Sequence, residues 1–443
     1  MTGIPAAIAR LDWDALQEET VQLLSEYIRL DTSNPPGNEE VAARWFGELL
    51  RREGIESEYY ESATGRGSLI ARLPGSDGSG YGNGVILLNH TDVVPAQESF
   101  WSEPAFAGVI RDGCIWGRGA QDMKTLGILE FMTFVLFKRL NLPHRRDLIF
   151  FAIADEEAGG EFGVEWFAKR HPELLKAGVV INEGAGCMSN FMGYDRPIFN
   201  FAAAEKSPLW LRLRTEGTPG HGSMPHANNA LDRLVNALAR VTAWKRQRQI
   251  VPEVVPFFAA MAAAGVLEPI EDAETAERVA QKNLLVNALT MDTISLTTAS
   301  AGIKVNVIPA VSEATLDCRL LPGRDAGEFT EALRRQIDDP EVQIERIFSA
   351  EGPSSPLDHE LVGVIRDVVH EHVEDALIVP SVCVGFTDSR TFRRLGVPAY
   401  GFAPVPATDE ERRTVHGHDE RVQIESLRLG LQILFGVVRR VTE

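Results

Sequence analysis

Four short apolar runs constrain the fold of this chain more than any other feature. They cover 68–73 (SLIARL), 84–89 (GVILLN), 147–154 (DLIFFAIA) and 178–182 (GVVIN). Helical patterns separate or precede them: 14–30, a second from an expected N-cap at Asn38 to about Arg52, and a long one over about 124–140. Buried strands alternating with helices predict an α/β sheet covered on both faces.

The pattern changes near Glu205. Residues 208–216 alternate like a half-exposed strand, and a helix is expected from about Asn228. Strand-like runs at 291–299 and 311–320 then precede a helix at 326–337 and a strand at 341–348. This order predicts a smaller, one-sided α+β sheet forming a second domain inserted into the first. The Ala-rich and acidic stretch 250–285 reads as an extra helical excursion within it. After Pro356 the α/β character returns, with a helix at 358–373, strands near 378–384 and 398–403, and a final helix. There Leu427, Leu431, Leu434, Val438 and Val441 share one face. A length of 443 residues is consistent with two domains rather than one core.

Charge and cysteine usage narrow the function classes. A formal charge of −19 argues against nucleic acid or an anionic membrane as a partner, because both require a basic surface. Cys114, Cys187, Cys318 and Cys383 are far apart and form no CxxC pair, so reduced thiols in a cytoplasmic protein are expected. The N-terminal stretch MTGIPAAIARLDWDALQEET lacks the apolar run of a secretion signal, and no stretch approaches the roughly 20 apolar residues of a membrane span.

The apolar runs end on chemistry. His90 follows the second; its imidazole can bind a metal while Asp92 holds the other ring nitrogen. Asp155, Glu156 and Glu157 follow the third, where adjacent carboxylates diverge: one can bind metal while its neighbour faces a water as general base. Glu183 follows the fourth. Asp122 lies on the Gly-rich segment 117–124 before the long helix, where it can bridge two cations or cap that helix. A late loop, 415–420, offers His416 and His418, and spacing alone does not choose between them. Two histidines and three carboxylates, one of them bridging, suit a pair of zinc ions.

With these motifs in order, the sequence resembles the aminoacylase/carboxypeptidase family of two-zinc metallopeptidases, which includes glutamate carboxypeptidase, aminoacylase, acetylornithine deacetylase and succinyl-diaminopimelate desuccinylase. The resemblance is carried by HTDVVP (90–95), GRGAQDMK (117–124), DEEAGG (155–160), NEG (182–184), GHGSMPH (220–226), NVIP (306–309), DCRLLPG (317–323) and HGHDE (416–420). It implies a three-layer α/β/α catalytic domain, residues 1–205 and 353–443, with an α+β lid and dimerisation domain inserted at 206–352.

The resemblance also implies roles. Asp122 would bridge two Zn2+ ions (Co2+ or Mn2+ as substitutes), one also held by His90 and Glu183, the other by Glu157 and His416. Glu156 would be the general base, Asp92 the orienter of His90, and His221 an oxyanion donor, from the partner subunit in many relatives. Asn306 and Arg319, with Lys206 as a further candidate, would contact the carboxylate side of the substrate, and Gly385 would lie on a substrate-edge loop. For these, a turn residue, a strand-surface ion pair and a solvated lysine are the plain alternatives. Phe386 and Thr387 depart from the Gly/Ser-rich form that several relatives have in that loop. The activity implied is cleavage of an amide or peptide bond beside a free carboxylate, by a zinc-activated water with Glu156 as base. The substrate would be a small N-acyl amino acid or short peptide, and the protein a homodimer. The apolar segment 254–261 is a candidate lining for an acyl pocket. Carbamoyl-amino-acid hydrolases fit less well at Met123 and Glu183. A catalytically silent, metal-binding peptide scaffold is the reading from another class.

Overall fold

The computed structural model describes residues 8–443. The expectation that no leader is present falls partly on residues 1–7, which lie outside the described residues. The chain divides into two compact units. One comprises residues up to 203 together with 354–381 and 387–443; the other comprises 204–353 with 382–386.

The first unit is built on an eight-stranded sheet. Its strand order is Ser57–Glu61, Gly67–Leu73, Leu148–Ile153, Val85–His90, Val179–Met188, Ala399–Ala407, Ile198–Glu205 and Leu377–Cys383. The central strands are parallel: Val85–His90 pairs with both Leu148–Ile153 and Val179–Met188, and the latter with Ala399–Ala407. Alternation explains the uniformly apolar runs. Val85, Leu87, Leu148 and Phe150 enter one core, while Ile86, Leu88, Ile149 and Phe151 enter another on the opposite face. Helices Trp13–Ile28, Glu40–Arg52, Lys124–Arg139 and Ile424–Thr442 contribute to the first core. Helices Val164–Arg170 and Ser389–Arg394 contribute to the second. Three layers result, and the predicted face of the final helix is buried throughout.

One local expectation fails and one strand goes unpredicted, each for a physical reason. Asn38 does not cap the helix at 40–52, because its side chain reaches the carbonyl of Asp31 instead. Glu39 takes the cap position, but its carboxylate turns inward to the guanidinium of Arg66, 3.1 Å away. Ile198–Glu205 is a strand buried at every position, yet its second half is dominated by Ala202, Ala203 and Ala204, which are too small to show a strand pattern in sequence.

The second unit has a four-stranded antiparallel sheet ordered Thr293–Ala301, Val311–Leu320, Ser207–Glu216 and Gln343–Ser349. Helices Ala230–Thr242 and Ala326–Ile337 cover one face through Leu234, Val241, Phe329 and Leu333, packed on Leu209, Leu211 and Leu213. The excursion after residue 250 is helical, with Val255–Ala263, Ala273–Ala280 and Leu284–Leu289. Phe257, Phe258 and Met261 are buried. All four cysteines are free. Among the described residues, no helix is long and apolar enough to cross a membrane.

Candidate metal centre

Parallel pairing brings several motifs to one edge of the large sheet. His90, the last residue of its strand, lies beside Ile153, and Thr91 N–H donates to the Ile153 carbonyl at 2.8 Å. Just beyond Ile153, Asp155 has a left-handed backbone (φ 73°) and starts the turn that carries Glu156 and Glu157. The Asp155 carboxylate is committed to this turn. It accepts from Phe162 N–H at 2.7 Å and Asn34 Nδ2 at 3.0 Å, and pairs with Arg66. Glu156 and Glu157 are thereby left to face the sheet edge, where Glu183 also stands on its own strand.

Asp122 does not cap the following helix; Met123 occupies that position, without a side-chain bond. The Asp122 carboxylate faces a histidine on each side. His90 Nε2 is 3.1 Å from Oδ1, and His416 Nε2 is 3.1 Å from Oδ2. His90 Nε2 is also 3.5 Å from Glu183 Oε1, and His416 Nε2 is 3.3 Å from Glu157 Oε2. Two triads therefore share Asp122, one with His90 and Glu183 and the other with Glu157 and His416. Within each triad the ligand-capable atoms lie within 4.8 Å of one another. His418 stacks on Phe100 instead, with ring centroids 5.2 Å apart.

Asp92 lies beside the His90 ring, as expected of it, and also serves the site in a second way. His90 Nδ1 lies 3.0 Å from the Asp92 backbone carbonyl and 3.6 Å from its carboxylate. That carboxylate accepts from the backbone N–H groups of Glu156 and Glu157, both at 3.1 Å, and from Asn34 Nδ2 at 2.8 Å. Asp92 thus orients the turn bearing both glutamates. A third acidic group, Glu39, Asp92 and Asp155, already faces the Arg66 guanidinium.

The remaining sequence candidates lie in the second unit. His221 pairs with Val307 in a two-residue ladder, its Nδ1 is 2.7 Å from Ser223 Oγ, and the Asn306 carbonyl accepts from Gly222 N–H. This brings His221 and Asn306 close to one another. Arg319 donates through Nε and Nη2 to Asp317 and stacks over Phe386 at 4.8 Å, one residue from Gly385. Lys206 is not solvated. It is fully buried, and its ammonium donates to the carbonyls of Ala288 and Met291 at 2.9 and 2.7 Å.

Residues 86–440 match the family model described as Peptidase family M20/M25/M40. The chain belongs to this peptidase family. It is 28% identical over 424 residues to the N-fatty-acyl-amino acid synthase/hydrolase of Mus musculus, covering 89% of this chain and 82% of that protein. It is 28% identical over 420 residues to aminoacylase-1 of Sus scrofa, covering 92% and 91%. The fold is similar to that of an M20 family metallo-carboxypeptidase from Sulfolobus solfataricus, with TM-score 0.73, 17% identity and coverage of 96% and 99%. As a member of this peptidase family, the chain is a metal-dependent hydrolase.

The site's own chemistry fits cations. Burial, then the nearby Asp122 charge, pushes the Glu183 carboxyl up to about 7, and the same two causes raise Glu157. Burial and then Glu183 raise Glu156 well above the carboxylate range. Burial opposes the protonated histidines. Asp122 and Glu157 nevertheless lift His416 to about 11, and Asp122, Asp92 and Glu183 raise His90 well above its ordinary value. Such mutual perturbation marks carboxylates crowded at low dielectric and short of positive charge. Glu156 Oε1 and Glu157 Oε1 are buried and meet no hydrogen-bond partner among the described residues. Imidazole nitrogens and carboxylate oxygens in this proportion suit zinc and neighbouring divalent metals.

Sequence reasoning passed over Asn34, Glu39, Arg66 and Glu420, all buried around this centre. Each acts across a long stretch of chain, so its role was not readable locally, although Glu420 closes the HGHDE motif.

Proposed function

We propose that the chain is a two-zinc hydrolase that cleaves the amide bond of N-acyl amino acids beside a free carboxylate. The observation that carries this is Asp122, with one carboxylate oxygen turned toward each of two histidines and a further carboxylate completing each triad. His90 and Glu183 would hold one zinc, Glu157 and His416 the other, with Asp122 between them. Bound there, a zinc pair supplies Lewis-acid polarisation of the carbonyl and lowers the pKa of water from about 15.7 towards about 7.

The chain's own residues do the rest. Glu156, buried and oriented through its backbone by Asp92, accepts a proton from the attacking water and returns it to the leaving amine. A carboxylate and a free amine result. His221, exposed and held by Ser223, would donate to the developing oxyanion, from this chain or from a second copy in a homodimer. Asn306 and Arg319 would meet the substrate's carboxylate side, near Gly385. The second unit, expected over 206–352, would act as a lid. Lys206 is engaged with backbone carbonyls, which favours a structural role for it.

Deacylation is favoured over dipeptide or carboxypeptide cleavage because relatives named as an N-fatty-acyl-amino acid synthase/hydrolase and an aminoacylase align along nearly the whole chain. The test is hydrolysis of N-acyl amino acids and dipeptides, each with a free or amidated carboxylate, with and without chelator. Chelator-sensitive cleavage of free-carboxylate substrates, fastest for the N-acyl series, is expected. Faster dipeptide cleavage would reassign the substrate, and metal-loaded protein inert on the whole panel would favour a silent peptide-binding scaffold. Indifference to acyl length would remove segment 254–261 from an acyl pocket.

A further inference from the structure

One buried carboxylate beside the metal centre has no part in the chemistry above. Glu420 is fully buried at the end of the loop that carries His416. Its Oε2 accepts from Arg118 Nη1 at 2.7 Å and Gly119 N–H at 3.0 Å. Its Oε1 accepts from Gln121 N–H at 2.7 Å and Asp122 N–H at 3.1 Å. All four donors belong to the turn that presents Asp122. Contacts also run between the backbone of one segment and side chains of the other. Arg118 Nη2 donates to the Gly417 carbonyl at 2.8 Å, and Gln121 Nε2 donates to the carbonyls of Glu411 and Arg421 at 2.6 and 3.1 Å.

A buried carboxylate is costly unless charge and hydrogen bonds compensate it. Here one guanidinium and three backbone N–H groups do so, and charge-assisted bonds of this kind are short and directional. The His416 loop needs such support: His416 and Asp419 have φ of 59° and 57°, a region that non-glycine residues hold only when their surroundings impose it. Asp419 is in turn bound by Ser102, through N–H at 2.6 Å and Oγ at 2.8 Å.

We propose that Glu420 is a positioning residue that locks the Asp122 turn and the His416 loop into one preassembled unit, so that their ligand atoms are aligned before a cation arrives. This rests on the two-metal reading above. The two triads depend on Glu420 unequally. The one with Glu157 and His416 draws two of its three members from the locked segments. In the other, only Asp122 does, since His90 and Glu183 stand on strands that Glu420 does not touch. Loosening Glu420 should therefore weaken the His416 side more than the His90 side.

The experiment compares wild type, Glu420→Gln and Arg118→Lys. Zinc affinity is read by competition with a chromophoric chelator, zinc content after equilibration in a fixed zinc buffer, and the folded state of each metal-free protein by thermal melting. Glutamine keeps the size of the side chain but turns an amide NH2 toward N–H donors. The weaker zinc site of Glu420→Gln should lose about 10–100-fold in affinity, the range found when a partner that orients a metal ligand is removed. Zinc content should fall from two towards one. Unchanged affinity at both sites overturns the proposal, even if the melting temperature drops, because Glu420 would then serve only the fold. If Glu420→Gln does not fold, Arg118→Lys decides by the same criteria. Wild type that binds fewer than two zinc ions would instead defeat the two-metal reading itself.

Discussion

Asp122 and Glu156 illustrate how much of this site is electrostatic. Burial opposes ionisation of Asp122, yet His416 and His90 hold its carboxyl far below the usual range. Glu156 lacks such partners and is pushed the other way. Carboxylates driven apart in this manner suit different tasks, ligation for one and proton transfer for the other. Glu156→Ala should keep the fold and the bound metal while the hydrolytic rate falls about 10²–10⁴-fold. Undiminished turnover in that variant would take Glu156 out of the base role. In the second unit, burial pushes the Lys206 ammonium down to about 7, against the opposing charge of Asp292. Unfolded lysine keeps its proton to about 10.4. Between these values the unfolded chain binds more protons, so this group makes stability rise with pH; the penalty is complete below about 7. Urea midpoints from pH 7 to 10 should rise less steeply for Lys206→Met than for wild type, and parallel curves would contradict the assignment.

At the scale of elements, the spacing of two parallel strands sets Glu183. Gly401 pairs with Asn182, and a Cβ at Gly401 would lie 2.4 Å from the Glu183 carbonyl and 3.1 Å from the Gly184 carbonyl carbon. Gly401→Ala should therefore displace the Glu183 strand, costing about 1–3 kcal/mol of stability and weakening zinc binding. Urea unfolding and zinc competition test this together; an unchanged zinc affinity would show that Glu183 tolerates the shift. The parallel strands were legible in sequence because both of their faces are buried, which leaves uniformly apolar runs. The helix at 326–337 was legible because it is amphipathic and Asp325 caps it by accepting from Glu328 N–H. Ile198–Glu205 was not, since alanines carry little pattern. His90, Asp122, Glu157, Glu183 and His416 stood out as chemistry at the ends of runs or in glycine-bearing loops, and the fold gathers them. Arg66, Glu39 and Glu420 did not, because their meaning arises only from partners far away in the chain.

Across the whole molecule, the candidate site residues are divided between two units. The five candidate ligands and Glu156 belong to the unit with the large sheet, whereas His221, Asn306, Arg319, Lys206 and Gly385 belong to the other. The overall charge of −19 is that of an acidic chain, and around Asp122 the half-buried carboxylates of Asp122, Glu157 and Glu183 crowd beside the buried Glu156, an arrangement that calls for a strong local positive charge. The most direct measurement is the number of zinc ions bound per chain at equilibrium, by dialysis and elemental analysis, for wild type and Asp122→Ala, with circular dichroism to verify folding. Two ions in wild type and loss of both in folded Asp122→Ala are predicted, because one carboxylate serves both triads. A single ion in wild type, or two retained by Asp122→Ala, would contradict the account.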